Sequence, residues 1–431
     1  GYMAGNNVRL NFSTGYHEDK TGLPGGLTED DFESGASRTD TYSPKDFSEI
    51  EDYYAKASPE LYFLNDSMLK IDMSYRNRES LFYYHLTSEG LTEIETISVS
   101  PRVVLREKVY GFDNKLTLGA DFIEDQEDIA NTAFYLGPPS TSEFELKKKN
   151  YGIYVHDEFN ATENISISAG YRYDRSRFEF EPVEEDEVTM SEDLYTAGIN
   201  YNFLKNSKVY ASYARSFRNP LLDEFFNFQT NTVNPDLEAQ TSDDYELGVR
   251  HYFLQNFYGD INLFRIDTEN EVFFNPITSS NENFDGETRR KGIELSLTKE
   301  FEQVHLKGKY AYTDATIRGG EFDGNDFPGV PEHKASISST FYPVKNLSVA
   351  LNGIYVGERP FISDFENDLS EQEDYFVANT KIKYNWNKLS AYLNVNNLFN
   401  EEYSEYGVDW GQKSYYPSPK INFLIGFSME L

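Results

Sequence analysis

The sequence has 431 residues and a formal net charge of −34, with 73 Asp and Glu against 39 Lys and Arg. Nucleic acid phosphates would repel such an acidic chain, which argues against a nucleic-acid-binding protein. Aromatic residues make up 16% of the chain, too many for a disordered acidic segment, and the absence of cysteine excludes disulfides and thiolate metal sites.

Apolar and polar residues alternate in segment after segment. In chain order the apolar sets include Leu116, Leu118, Ala120 and Phe122; Ile165, Ile167, Ala169, Tyr171 and Tyr173; Tyr195, Ala197, Ile199, Tyr201 and Phe203; Tyr245, Leu247 and Val249; Ile293, Leu295 and Leu297; Leu347, Val349 and Leu351; Leu389, Ala391, Leu393 and Val395; and Ile421, Phe423, Ile425, Phe427, Met429 and Leu431. Side chains two positions apart share one face of a strand. The pattern therefore predicts an all-β chain of about eighteen strands, each with one apolar face.

The connections between these segments fall into two length classes. Short turns are predicted at 64–67, 160–164, 204–207, 254–257, 343–346 and 385–388, and long polar links at 17–51, 124–146, 180–192, 217–242, 270–284, 318–331, 358–373 and 399–418. Because the classes alternate, the short turns are expected at one end of the sheet and the long loops at the other. Strands of about ten residues can cross a bilayer when tilted. The sequence thus predicts a transmembrane antiparallel up-and-down β-barrel of the bacterial outer membrane.

The two faces of such a barrel should differ in what they contact. We expect the apolar rows to face lipid, with Tyr and Phe at the membrane interfaces, and the polar rows to face a wet bore. Those polar rows include Arg172, Asp174, Asn200, Asn202, Asn394 and Asn396. The last strand is expected to pair with the first, because closure removes free edges. A soluble β-sandwich or propeller is the alternative, but such folds have shorter strands and do not sort loop lengths by end.

Several stretches resemble the TonB-dependent receptors, the energy-coupled importers of the Gram-negative outer membrane. They are "YGIYVHDEFNATENISISAGYRYD" (151–174), "YASYARSFRNP" (210–220), "NPDLEAQTSDDYELGVR" (234–250), "RRKGIELSL" (289–297), "VPEHKASIS" (330–338) and "LNVNNLFNEEY" (393–403). The resemblance implies a barrel of about 22 strands, of which about eighteen are visible. We expect residues 1–431 to form the barrel domain, with an N-terminal plug domain and the first strands missing.

The resemblance also implies function and partners. It implies import of a scarce nutrient, most often a ferric siderophore and less often cobalamin, without covalent chemistry or a cofactor. The expected partners are the TonB complex of the inner membrane through the missing plug, outer-membrane lipid and lipopolysaccharide, and a metal chelate or other small molecule, with the protein a monomer. The alternative is a complete 18-stranded diffusion porin, whose bore would be narrowed by segment 17–51. An outer-membrane hydrolase is less favoured, since no catalytic motif is found.

Two groups of residues are candidates for binding the substrate. Arg172, Arg175, Arg177, Arg215 and Arg218 could grip an anionic ferric chelate in the bore, or could instead pair with carboxylates of the barrel wall. The loop aromatics Phe361, Phe365, Trp410, Tyr415 and Tyr416 could stack on a planar chelator, or could belong to an interfacial belt. The six histidines are dispersed, so no metal site is predicted.

The predicted long loops are rich in carboxylates. Residues 181–193 contain no basic residue, and 358–374 contain only Arg359 among seven Asp and Glu residues. Such loops could recruit divalent cations that bridge to lipopolysaccharide, or attract a cationic or metal-bearing substrate. The alternative is a solvated, self-repelling surface.

Overall fold

The computed structural model describes residues 2–4, 7–34, 40–64, 66–85, 87–134, 138–182, 187–275, 278–409 and 411–429. Within these ranges the chain forms 26 β-strands, one short α-helix and one 3-10 helix. The first half holds β1 Tyr2–Ala4, β2 Val8–Gly22, β3 Leu27–Thr28, α1 Glu29–Glu33, β4 Phe47–Phe63, β5 Ser67–Tyr84, β6 Ser88–Val109, β7 Phe112–Ala133, β8 Ser140–Asn160, β9 Ile165–Glu181, β10 Glu187–Leu204 and β11 Ser207–Arg218. The second half holds the 3-10 helix Asp223–Phe225, β12 Phe226–Asn227, β13 Thr232–Val233, β14 Gln240–Leu254, β15 Phe257–Glu269, β16 Val272–Asn275, β17 Ser280–Asn283, β18 Glu287–Glu300, β19 Val304–Arg318, β20 His333–Val344, β21 Leu347–Val356, β22 Tyr375–Trp386, β23 Leu389–Asn396, β24 Ser404–Asp409, β25 Lys413–Pro417 and β26 Asn422–Met429.

Eighteen of these strands form one antiparallel meander, as predicted. They are β2, β4–β11, β14, β15, β18–β23 and β26, and each pairs with the next along the chain, while the short β1 adds to the free edge of β2. The predicted pairing of the last strand with the first is not found among the described residues. There β26 pairs with β23, and β1 occupies part of the edge of β2 that closure would need.

The two ends of the meander nevertheless approach each other. In the loop between β2 and β4, β3 pairs with β25 of the loop between β23 and β26. Next to this pairing, the ring of Phe32 in α1 stacks on Tyr415 with 4.8 Å between centroids. The ammonium of Lys413 lies 2.9 Å from Glu29 Oε1. These contacts, here called the clasp, require the sheet to curve round until its first and last loops meet.

The end of the sheet that carries the long loops is called the upper end. Several predicted loops there are shorter than expected, because β7 extends to Ala133 and β8 begins at Ser140 within the predicted link 124–146. The links 17–51 and 180–192 are likewise shortened by strand extensions. The extensions were missed because their outer side chains are polar and lack the apolar row used to recognise strands. Three short connections were also missed. Those at 110–111 and 301–303 lie at the lower end and fit the alternation, whereas 85–87 is a short connection at the upper end, so the alternation of loop lengths is not strict.

The two faces of the sheet follow the predicted alternation. On β9 one face, the outer face, carries Ile165, Ile167, Ala169, Tyr171 and Tyr173, and the inner face carries Ser166, Ser168, Gly170, Arg172 and Asp174. The cross-strand register continues both faces onto the neighbours, with Val155 of β8 opposite Tyr171 and Tyr195 of β10 opposite Tyr171. Each pair of neighbouring strands thus shares an apolar row on the outer face. An apolar outer surface is what a bilayer requires.

Aromatic side chains form a belt at the upper margin of the outer face. Its members are Tyr53, Tyr75, Phe122, Tyr151, Tyr173, Tyr195, Tyr213 and Tyr245. Three pairs of these rings are in contact, Tyr53 with Tyr75 at 6.0 Å, Phe122 with Tyr151 at 5.3 Å and Tyr213 with Tyr245 at 5.2 Å. Aromatic rings favour the membrane–water interface, where one end is apolar and the other wet. The part of each strand below this belt is therefore its membrane-spanning part.

One upper loop folds over the inner face. Residues 219–239, between β11 and β14, pack Leu222, Phe225 and Phe226 against Phe178 and Phe180 of β9, and the same cluster includes Ile129, Leu146, Met190, Leu237 and Ala239. Asn131 Nδ2 anchors the loop by donating to the carbonyl of Phe228 at 2.8 Å. The loop 219–239 thus folds inward. Segment 17–51, expected to narrow the bore only in the porin alternative, is instead held at the upper end by the clasp.

Candidate functional site

Three upper loops meet at a cluster of phenylalanine rings. Phe365, in the loop 357–374, lies at its centre, with ring centroids 5.2 Å from Phe273, 5.4 Å from Phe284, 5.8 Å from Phe322 and 6.3 Å from Phe327. Phe273 and Phe284 come from 270–286, and Phe322 and Phe327 from 319–332. Tilted and edge-to-face rings at these separations attract each other beyond the area that they bury. The Phe365 cluster therefore ties the three loops into one cap.

Backbone and amide hydrogen bonds join two of these loops directly. Asn325 Nδ2 donates to the carbonyl of Phe365 at 2.9 Å. The amide N–H of Asp326 donates to Asn367 Oδ1 at 2.6 Å, and Asn367 Nδ2 donates back to the carbonyl of Asp326 at 3.1 Å. This reciprocal pairing fixes the register of the loops 319–332 and 357–374 against each other.

An apolar cavity of about 250 Å³ lies beside the Phe365 cluster. Its lining is mostly hydrophobic and comes from Glu271, Val272, Phe273, Phe274, Phe327, Pro328, Ile362, Ser363, Phe365, Tyr406 and Val408. The carboxylate in the lining, Glu271, pairs with Arg290 at 2.7 Å, and the Arg290 guanidinium also lies 4.6 Å from the ring centroid of Phe327. The cavity thus presents aromatic walls next to one neutralised charge pair.

A second cavity, of about 350 Å³, is lined in part by the loops 319–332 and 357–374 and is acidic. Its carboxylates are Asp326, Glu332, Glu358, Glu371 and Asp374, and His333 also lines it. Partial burial raises the pKa of Glu371, and the neighbouring carboxylates of Glu358, Asp326 and Glu332 raise it further. Across the described part of the chain no group of three or more His, Asp or Glu residues is arranged to hold a metal ion.

A buried carboxyl group lies beneath the loop 219–239. Glu127, on the inner face of β7 above the spanning part, is 2% exposed, and its Oε1 has no hydrogen-bond partner. Burial raises the pKa of Glu127 to about 8, with smaller contributions from Asp223 and Asp125. Burial also raises the pKa of Asp223 and lowers the pKa of Lys148. The loop therefore covers a site where a carboxyl group is held neutral at physiological pH.

The five predicted arginines lie on both faces of the sheet. Arg172 is on the inner face, where its guanidinium contacts Asp121 and Asp174, and Arg218 pairs with Glu224 at 2.8 Å. Arg175 and Arg177 share the outer face with Tyr173. Arg215 shares it with Tyr213 and pairs with Asp243 at 3.2 Å. The expectation that all five line the bore was wrong, because Arg175, Arg177 and Arg215 fall in phase with the apolar rows.

The predicted loop aromatics have structural contacts of their own. Phe361 is fully buried, 5.4 Å from Tyr415 in an edge-to-face arrangement, and Tyr415 also stacks in the clasp. Tyr416 is 40% exposed and contacts Tyr406, which lines the apolar cavity. Trp410 lies outside the described residues. Sequence reasoning missed Phe273, Phe284, Phe322 and Phe327, although four phenylalanines in two polar loops were a visible signal.

Among the described residues, no helix is both long enough and apolar enough to cross a membrane. A family model for the TonB dependent receptor-like β-barrel matches residues 2–398. The probable TonB-dependent siderophore receptor PiuA of Acinetobacter baumannii is 25% identical over 292 residues, covering 61% of this chain and 38% of that receptor. The ferric-pyoverdine 358 receptor of Pseudomonas putida is 26% identical over 302 residues, covering 64% of this chain and 35% of that receptor. This chain therefore aligns with less than half the length of either relative.

Solved structures have the same fold. The crystal structure of the siderophore receptor PiuA from Acinetobacter baumannii superposes with a TM-score of 0.81 at 15% identity, covering 99% of this chain and 72% of that one. The unliganded ferric citrate transporter FecA also gives a TM-score of 0.81, at 18% identity, covering 98% of this chain and 68% of that one. With the family model spanning most of its length, the chain belongs to the TonB dependent receptor-like β-barrels of the bacterial outer membrane.

Proposed function

We propose that this barrel is part of a TonB-dependent receptor that captures a ferric siderophore at its extracellular loops and imports it. The observation that carries the proposal is the aromatic cavity of about 250 Å³ where four extracellular loops meet. Its volume is below the range of roughly 300 to 1,000 Å³ that accommodates a whole drug-sized ligand. We therefore expect the cavity to take one ring-bearing arm of a chelate, with the remainder above the cap.

The polar contacts of the ligand are a further part of the proposal. Arg172 and Arg218 remain candidates, since both lie on the inner face, but each already has carboxylate partners that a chelate would displace. Tyr415 and Tyr416 lie in the loop whose Tyr406 lines the cavity. The ligand contact predicted for Trp410 of the same loop stays a prediction. Phe361 would support the loops from below, because it is fully buried.

The proposed energy coupling rests on the chain's membership of the TonB dependent receptor-like family. A plug domain and further strands preceding this segment in the full-length protein would fill the bore and contact the TonB complex of the inner membrane. The alternative of a passive porin is not favoured, because the relatives reported above are siderophore receptors. The barrel would act by binding and conformational change, without covalent chemistry.

The test uses the full-length protein and a panel of ferric catecholate, hydroxamate and carboxylate chelates. Phe274 is suited to substitution because it lines the cavity and is 45% exposed. Losing one aromatic stacking contact costs roughly 1 kcal/mol, so Phe274→Ala should weaken binding of the accepted chelate by about five- to tenfold. The matched control is Phe301→Ala, an exposed ring in the opposite, lower turn. Absence of binding by every chelate would refute the proposal.

A further inference from the structure

Strands β10 and β11 separate above the aromatic belt and leave one side of β10 unpaired. The register between them ends at Thr196 opposite Ala214, whereas β10 continues upward to Glu187. On its other side this stretch stays paired with β9 in an unbroken register. The upper part of β10 is therefore a regular strand with one free side, here called the β10 edge (residues 187–193).

The backbone of the β10 edge directs hydrogen-bonding groups into the gap. Asn202, lower in β10, donates its N–H to the carbonyl of Asn164 on the β9 side at 2.8 Å. Along an antiparallel strand the backbone groups of successive residues point to opposite sides, so those of Thr189, Ser191 and Asp193 point away from β9. Among the described residues, no backbone hydrogen bond from the loop 219–239 reaches these groups.

Strand β19 shows how a comparable edge is covered elsewhere in the sheet. Its pairing with β20 also ends below the top of the strand. Above that level the loop 319–332 folds back onto β19, where the N–H of Ile317 donates to the carbonyl of Asn325 at 2.9 Å. The N–H of Phe327 donates to the carbonyl of Ala315 at 2.8 Å. Uncovered strand edges invite pairing with other chains, and within the described residues the β10 edge has no such cover.

A cavity of about 440 Å³ lies beside the β10 edge on its inner side. One wall comes from β10, including Val188, Met190 and Glu192, and the other from residues 235–239 of the inward-folded loop. Met190 and Leu237, one from each wall, belong to the same buried cluster. The cavity, here called the β10 slot, is thus bounded by two walls that pack together at one point and leave space between them elsewhere.

The loop wall of the slot is held from behind by the loop 270–286. The N–H of Glu238 donates to Asn283 Oδ1 at 2.7 Å, and Asn283 Nδ2 donates back to the carbonyl of Glu238 at 3.1 Å. Asn270 Nδ2 also donates to Glu238 Oε2 at 2.8 Å. Because the backbone of Glu238 is satisfied on this side, it does not compete for the β10 edge.

The slot is acidic. Its described lining residues include Glu192, Asp236 and Glu238 and no Lys or Arg. The neighbouring strands contribute Arg177 and Arg215 on the outer face, but both are already paired with carboxylates. A strand that approaches the β10 edge therefore meets negative charge, which favours a partner with basic side chains.

We propose that the β10 edge and the β10 slot bind an extended basic segment of another protein by strand addition. The backbone of that segment pairs with Thr189, Ser191 and Asp193, and every second side chain reaches the carboxylates of the slot. A second copy of this chain is a poorer partner, because two β10 edges would bring carboxylates against each other. The site lies above Tyr195 of the aromatic belt, in water, and shares no lining residue with the proposed chelate cavity.

The test measures binding of fluorescent peptides to the full-length protein in nonionic detergent by polarisation. The probes have about six residues, the length of a typical strand. One alternates lysine with valine, one alternates glutamate with valine, and one is the lysine–valine peptide with N-methyl groups on the peptide nitrogens of one edge. The lysine–valine peptide should bind. The N-methylated peptide cannot donate to β10 and the glutamate peptide is repelled by the slot, so each should bind at least about tenfold more weakly.

Substitutions separate the backbone contribution from the charge contribution. Ser191→Pro removes an N–H that faces the gap without removing a bond to β9, and should weaken lysine–valine binding by about tenfold. Ser191→Ala keeps that N–H and should bind like the parent. Glu192→Gln/Glu238→Gln should weaken binding by about fivefold. Glu332→Gln/Glu371→Gln removes the same charge from the other acidic cavity and should leave binding unchanged.

Retention of the heat-modifiable band shift on gels verifies that each variant is folded. Equal affinity of the parent and Ser191→Pro for the lysine–valine peptide would overturn strand addition, and so would undiminished binding of the N-methylated peptide. Absence of lysine–valine binding to the parent, or equally tight binding of the glutamate peptide, would overturn the basic partner. A concentration-dependent dimer that Ser191→Pro abolishes, without peptide binding, would likewise overturn it and assign the edge to a second copy.

Discussion

Raising the pH should release the loop 219–239 from the inner face of the barrel. Glu127 is neutral beneath this loop, with its pKa raised from 4.5 to about 8 by burial. When the loop opens, Glu127 gains access to water and its pKa returns towards the ordinary value. Between these two values the open state is deprotonated while the closed state holds one proton, so the closed state loses stability as pH rises. Below about pH 4.5 both states are protonated and the dependence vanishes.

The magnitude follows from the same linkage. Each pH unit inside the window changes the opening free energy by about 1.4 kcal/mol for one proton. From pH 5.5 to 7.5 the change is about 2.7 kcal/mol, equivalent to roughly a hundredfold fall in protection against amide exchange. Asp223 acts in the same direction because burial raises its pKa as well. Lys148 acts in the opposite direction, since burial lowers its pKa.

The assay is hydrogen exchange of the full-length protein, expressed as protection factors so that the intrinsic pH dependence of exchange is removed. Glu127→Gln keeps the side-chain shape but cannot ionise, so its loop should stay protected up to pH 7.5. The control Asp128→Asn changes the adjacent, exposed residue and should retain the parental pH dependence. A pH-independent parent, or an unchanged slope in Glu127→Gln, would refute the reasoning.

Three further substitutions test other contacts. Phe365→Ala removes the central ring of the cap and should lower the local stability of its three loops by about 2 kcal/mol, seen as roughly 30-fold faster exchange there. Arg172→Gln leaves the buried carboxylate of Asp174 without its guanidinium partner and should destabilise the barrel by about 2 to 3 kcal/mol, measured by denaturant unfolding in detergent. Phe32→Ala removes the stacking on Tyr415 and should speed amide exchange in α1 by about five- to tenfold.

For each of these substitutions, one outcome would contradict the predicted effect. For Phe365→Ala, exchange that increases in one loop but not in the other two would show that the cluster does not couple them. For Arg172→Gln, a loss no greater than that of Arg265→Gln, whose partner is on the exposed outer face, would deny the importance of the inner pair. For Phe32→Ala, unchanged exchange in α1 would show that the strand pairing alone holds the clasp.

The outer and inner faces could be predicted from sequence because alternation is a local property. The alternation alone already places Arg175 and Arg177 on the outer face, because both lie at odd positions of β9, as Tyr173 does. Their assignment to the bore was an error of reasoning, since strand phase alone puts them outside.

Contacts between distant loops could not be predicted in the same way. The position of Phe365 among rings from two other loops depends on how three strand pairs curve, and no periodicity encodes this. Glu127 looked like one carboxylate in an acidic stretch. Its burial follows from the loop 219–239, about a hundred residues later, so its raised pKa is a tertiary property. The upper strand extensions were missed for a local reason, because their outer side chains are polar.

Uptake of radioactive iron tests the central claim most directly. Cells lacking their own siderophore receptors would receive the full-length gene and be supplied with labelled ferric siderophores under iron limitation. The account predicts saturable uptake of at least one chelate, abolished when a protonophore removes the energy source. Uptake that is absent for every chelate, together with unsaturable, energy-independent entry of small sugars, would contradict it and indicate a passive pore.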